Sequence, residues 1–224
     1  VSARDLPDLM PPHPKGAFHL ANADAWRDLH TLIQRARRLD GGGAAILSGS
    51  GSKPILAVWI SVMDSTSGTV LGMRTFELSQ PGDKRATVYL SGLADRLARE
   101  KNAELLSLSI PPVRASANWA SNLPPLQGWT TTGRMDVAAV REVAQTGAKE
   151  LSDAVPVDAG PPIVEALRDR IWFTPMAEGI PSGAAFALDV LGFLPATGEI
   201  LVHQVEDWVR LTTTGGYVLA RLKN

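Results

Sequence analysis

The spacing of apolar residues changes several times along this chain, and each change predicts an element. Trp26, Leu29, Ile33 and Ala36 recur at three- and four-residue steps, with Arg27, Gln34, Arg35 and Arg38 between them. This is the period of an amphipathic helix over about 23–39, with Asn22 as its cap and Gly41-Gly42-Gly43 at its end. Short runs rich in Val, Ile, Trp and Thr follow at 44–47, 55–63, 69–76 and 86–90, separated by Gly, Ser, Pro and Asp clusters. They predict an antiparallel meander. A helix from Ser91 to about 101 turns Leu93 and Leu97 inward, and a strand at 105–110 stops at Pro111-Pro112.

Residues 113–127 keep neither period. Beyond them a strand is expected at 129–135. Asp136 caps a helix to about 153, with Val137, Val140, Ala144, Ala148 and Leu151 on one stripe. Pro161-Pro162 opens a second helix to about 172, a first-turn position that proline tolerates. A third helix, 182–191, follows Pro181. Strands at 200–205 and 208–213 come last, the second returning through 217–221 across "TTGG" as a hairpin.

Helices and strands therefore cluster and do not alternate as β-α-β. The fold class this predicts is α+β, with a mainly antiparallel sheet in the N-terminal half and helices plus a C-terminal β-hairpin in the second half. The expected organisation is an extended arm at 1–16, where prolines disfavour helix and sheet; an α+β lobe at 17–112; an irregular connection at 113–128; and a helical and hairpin lobe at 129–224, packed with the first or separate from it.

Composition narrows the chemistry. The 224 residues are 45% hydrophobic and 20% charged, enough for a sizeable core. Without cysteine there is no disulfide, no thiolate catalysis and no Cys-ligated zinc or iron–sulfur site, and a reducing cytoplasm is the expected setting. A net charge of −1 shows no basic excess, so nucleic acid is not expected as a partner. No apolar run reaches the ~18–20 residues that span a bilayer, so no membrane partner is expected, and the first sixteen residues lack the apolar core of a signal peptide.

The stretch "AAILSGSGSKPILAVWI" (44–60) raises the question of a phosphate loop. Lys53 precedes proline where Ser or Thr is needed, and a strand-like run follows where a helix must start. It reads as a loop between two antiparallel strands. The four histidines, His13, His19, His30 and His203, show no metal-ligand spacing, and no serine sits in a nucleophile elbow. Catalytic residues, metal ligands and cofactors are therefore expected to be none.

Three residues are candidate ligand-binding groups. Asp189 is the only charge in the apolar run "GAAFALDVLGFL" (183–194), where a carboxylate is a perturbed acid, a buried partner, or a point on an exposed face. Arg74 and Arg210 lie on strands, where an arginine fork binds carboxylates or phosphates or pairs with a neighbouring charge. Among six tryptophans, Trp119 falls in the irregular segment and is expected to pin it to the body.

Several segments together, "LIQRARRLDGGGAAIL", "TVLGMRTFEL", "GWTTTGRMDVAAVREVAQTGAKELSDAVP", "IPSGAAFALDVLGFL" and "WVRLTTTGGYVLARL", resemble a family of uncharacterised actinobacterial proteins. The resemblance covers most of the chain from about Leu32. It implies a bacterial cytoplasmic protein and transfers no site residue. The leading expectation is a non-enzymatic binding or self-association module, a homodimer or the partner of another protein, with the 183–194 helix and the C-terminal hairpin as its interface. The alternative is a small-ligand-binding protein or enzyme with a cleft between the two lobes, served by Arg74, Asp189 and Arg210.

Overall fold

A computed structural model describes residues 16–223. The expected arm, save Gly16, and His13 lie outside the described residues. In chain order the elements are β1 (Ala17–His19), α1 (Ala23–Leu39), β2 (Ala44–Gly49), β3 (Ile55–Asp64), β4 (Gly68–Glu77), β5 (Arg85–Tyr89), α2 (Leu90–Leu97), α3 (Glu100–Glu104) and β6 (Ser107–Ser109). A short 3-10 turn, Asn118–Ser121, precedes β7 (Thr130–Asp136), α4 (Val137–Ala154), α5 (Pro161–Trp172), β8 (Pro175–Ala177), β9 (Ile180–Pro181) and α6 (Ser182–Val190). β10 (Glu199–Val205), β11 (Trp208–Thr212) and β12 (Tyr217–Leu222) follow. The class is α+β with a large antiparallel sheet.

That sheet has eight strands in the order β5-β2-β3-β4-β12-β11-β10-β7. Its first four strands come from the first half of the chain and its last four from the second. The seam is β4 against β12, antiparallel from Tyr217↔Met73 to Leu222↔Gly68. The expected C-terminal hairpin, β11–β12, is thus an interior part of one continuous sheet. A polar lock lies beside the seam. Asp169 of α5 accepts hydrogen bonds from the Ser65 and Ser67 hydroxyls of the β3–β4 turn. Lys223 Nζ reaches Asp64 at 2.9 Å and the Ser65 carbonyl at 2.7 Å.

Strand alternation divides the buried residues between two faces of the sheet. On one face Leu47, Leu56, Val58, Ile60, Val70, Leu211, Val218 and Ala220 meet the apolar stripes of α1, α2, α4 and α6. On the other, Ile46, Trp59, Leu71, Trp208 and Leu219 form a smaller cluster with Trp119. Among the described residues no α-helix packs there. The irregular segment covers it, and Trp119 is buried as its anchor. Trp129 Nε1 donates to the Pro125 carbonyl at 3.0 Å and closes the cover.

The caps follow the sequence. Asn22 accepts from the Ala25 amide, and Asp136 from Ala138 and Ala139. Other details differ from expectation. The helix expected over 91–101 breaks into α2 and α3, because Arg99 is extended at φ −76°, ψ 120°. The strand at 105–110 shrinks to β6, after Leu106 at positive φ, and pairs with β1 outside the main sheet. Gly147, not Ala148, faces inward on α4, and its lack of a Cβ lets the Trp172 ring pack against the helix there. The small β8–β9 hairpin had no sequence signal. The Gly/Ser stretch after β2 is the loop between antiparallel β2 and β3, with Gly51 at φ +76°.

Candidate functional site

The apolar helix α6 is core, not interface. Ala184, Ala185, Ala187 and Leu188 are all fully buried between the sheet and α4. Asp189 is the point where the helix meets solvent, and it is exposed. Arg74 lies on the helix-covered face of β4, ion-paired with Asp28 of α1, its guanidinium 5.3 Å from the Phe76 ring centre. Arg210 lies on β11 opposite Leu219, on the other face of the same sheet. The fold therefore does not bring Arg74 and Arg210 into one cavity.

A cleft of about 720 Å³ is present, but it lies inside the second half. It runs along α4 past Glu142, Val143 and Glu150, facing Arg170, Ile171 and Met176. None of the three candidate residues lines it. At the junction of the halves there is a smaller cavity of about 120 Å³, walled by Leu39, Met63, Leu151 and Trp172. Among the described residues no group of three or more His, Asp or Glu could hold a metal ion. No described helix is long and apolar enough to cross a membrane.

The surface with unsatisfied chemistry is the β7 end of the helix-free face. Cross-strand registry sets Thr131 of β7, His203 of β10 and Arg210 of β11 in one row. Thr131 Oγ1 and His203 Nδ1 are 3.1 Å apart. Arg210 lies 4.7 Å from the Trp129 ring centre and 5.7 Å from that of Tyr217, within cation–π range of both. Partial burial lowers its guanidinium pKa, with Tyr217 acting in the opposite sense, and an arginine so shifted stays cationic at neutral pH. His203 is held below its ordinary pKa, first by burial and then by the Arg210 charge.

The two edges of the sheet differ. β5 is partly capped: Val88 bridges to Arg114, and the Ala115 amide donates to the Thr87 carbonyl at 3.0 Å. Among the described residues β7 pairs only with β10, and Thr130, Thr131, Thr132, Arg134 and Asp136 are exposed along it. A register shift opposite Val202 and His203 leaves Thr132 as the extra residue of a bulge. Sequence reasoning singled out Arg210 and expected the strand at 129–135, but did not recognise it as an edge of the sheet. The run "WTTTGRMD" does carry the β-rich, uncharged start that an open edge shows.

Comparison with known proteins divides the chain as the sheet does. Residues 13–121 match the family model described as Domain of unknown function (DUF8010), and residues 124–224 match Domain of unknown function (DUF8185). Comparison with curated proteins gives no significant match. Solved structures with partial similarity include three bacterial proteins. The Borrelia burgdorferi DNA polymerase III subunit beta shares 8% identity, with a TM-score of 0.49 and coverage of 93% of this chain and 64% of that one. For the Thermotoga maritima DNA polymerase III beta subunit the values are 13%, 0.46, 93% and 65%. For the Caulobacter crescentus DNA polymerase sliding clamp they are 11%, 0.45, 89% and 64%. The chain thus spans somewhat under two thirds of these proteins' length. The expectation that nucleic acid is excluded as a partner is withdrawn. The similar folds belong to proteins named for DNA polymerase, and a net charge near zero does not describe the charge of any one surface.

Proposed function

We propose that this protein is a non-enzymatic association module that binds a second copy of itself by pairing β7 with β7 of the partner. The open edge at β7 carries the reading. An unpaired strand presents a row of N–H and C=O groups, and a second strand satisfies them. Seven residues at about 3.3 Å each give an edge roughly 23 Å long. Two-fold antiparallel pairing there joins two eight-stranded sheets. The interface therefore moves from the 183–194 helix and the terminal hairpin, which the monomer itself buries, to the strand that opens the second half. The two halves act as lobes of one body sharing a sheet, with 113–128 as the connection that covers its helix-free face. The lack of cysteine and the actinobacterial resemblance support a bacterial cytoplasmic setting.

Light scattering and native mass spectrometry test the reading. The expected mass is twice 23.9 kDa, falling to one chain in the Thr130→Lys/Thr132→Lys variant. Lysines on an edge repel across such a pair and leave the fold of each chain intact. A wild-type monomer at concentrations up to about 100 µM, or a dimer indifferent to the lysines, overturns it.

A further inference from the structure

Arg210 is a charge that the fold partly desolvates and does not pair. Among the described residues six salt bridges form, and none includes Arg210. Its Nε is buried without a hydrogen-bond partner. The neighbouring Arg221 sits in a similar aromatic setting, 4.8 Å from the Trp208 ring centre and with its Nε likewise buried without a hydrogen-bond partner, but it has Asp207 at 3.4 Å. Arg74 has Asp28. Taking a cation out of water costs free energy unless an anion or hydrogen bonds answer it, and aromatic faces answer only part.

We propose that Arg210 is the docking point for a carboxylate of a partner protein, an Asp or Glu on a short extended segment laid across the helix-free face at its β7 end. Trp129 enters from the β7 side and Tyr217 from β12, so aromatic surface lies on both sides of β11 in the sheet order. With rings placed over a guanidinium and Nε buried, the two terminal NH2 groups are left for an acceptor, and a carboxylate matches that end of the planar fork with two parallel bonds. Both rings are only half-buried and supply apolar contact for residues flanking the acid. A single unpaired arginine suits one carboxylate. A run of phosphates calls for several cations along a track, and the row here continues into His203, held toward its neutral form, and the uncharged Thr131. The site deepens the protein-binding reading without depending on strand pairing, since Arg210 lies two strands inside the β7 edge.

The test follows the Arg210 Nε–H and Trp129 Nε1–H signals in ¹H–¹⁵N spectra of the full chain. The probe is the peptide acetyl-Leu-Glu-Leu-amide, compared with its Glu→Gln counterpart and with an oligothymidylate. The glutamate peptide is expected to move both signals saturably, about tenfold or more tighter than the glutamine peptide, and the Arg210→Gln variant is expected to lose that preference. Equal binding of the two peptides overturns the proposal, because the carboxylate then contributes nothing. So does movement of these signals by the oligothymidylate with the glutamate peptide silent, which makes the site a phosphodiester contact. If Arg210→Gln fails to fold, the two peptides on the wild-type chain still decide. A Thr130→Lys/Thr132→Lys monomer that keeps the peptide preference separates this site from the dimer.

Discussion

The two faces of the eight-stranded sheet have been built for different ends. On one, helices from both halves bury Leu47, Val58, Ile60, Val70 and Val218 to full exclusion of solvent, and the arginine that strays there, Arg74, meets Asp28. On the other, a loop with one buried tryptophan does the covering. It leaves Arg210 among aromatic rings without an acid. A face closed by regular elements satisfies its own groups. A face closed by a loop leaves groups for something else to satisfy.

Truncation gives the largest test of that contrast. Leu188→Ala, on the helix-covered side, is expected to cost about 2–5 kcal/mol of folding free energy, because a fully buried side chain leaves a cavity between α6, α4 and the sheet. Trp129→Ala, on the helix-free side, removes a half-buried ring and a cation–π contact and is expected to cost less, about 1–2 kcal/mol, despite the larger side chain. Urea unfolding of the two variants compares them directly. Equal losses would erase the distinction between the faces.

A smaller effect is expected at the lock between the halves. Asp169→Ala leaves the Ser65 and Ser67 hydroxyls without their acceptor and should cost about 1–2 kcal/mol. A single cooperative transition should persist, since the β4–β12 ladder still joins the halves. Two separated transitions in calorimetry would mean that the seam needs the lock.

The smallest effect concerns pH. The folded chain depresses the His203 pKa, so the unfolded chain binds its proton more readily. Its contribution to stability is present above the unfolded value, about 6.5, and is lost as pH falls through the folded value. His203 is half-buried at the surface, and the expected loss is slight. His203→Gln should flatten the stability curve as pH falls below about 6.5, and an unchanged slope would show that neither burial nor the Arg210 charge shifts this ring.

How far this was legible from the sequence depends on the range over which each feature is decided. Asn22 and Asp136 announced their helices because a cap is a contact across two or three residues. The strands 55–63, 69–76 and 208–213 announced themselves through β-branched runs and came out nearly as expected. Trp119 could be read as an anchor because a large apolar ring in a polar stretch has few other uses. The break at Arg99 and the inward turn of Gly147 could not be read. The first is a backbone state in a polar stretch without a breaker residue, and the second depends on where Trp172 comes to rest. Arg210 was legible as a candidate and Asp189 as a question. Their settings were not, because period and composition do not say which side of a sheet will be covered.

The amino-acid order by itself determined the elements, the α+β class and the closure of cysteine chemistry, all of which follow from local backbone preference, spacing and residue type. Tertiary structure alone decided that β4 would take β12 as its neighbour, merging two halves into one sheet, since strand pairing joins residues more than a hundred positions apart. The same pairing chose the edges. By placing β12 inside and β7 outside, it buried the apolar helix expected to be an interface and left a threonine strand at the edge of the sheet, with Arg210 two strands away.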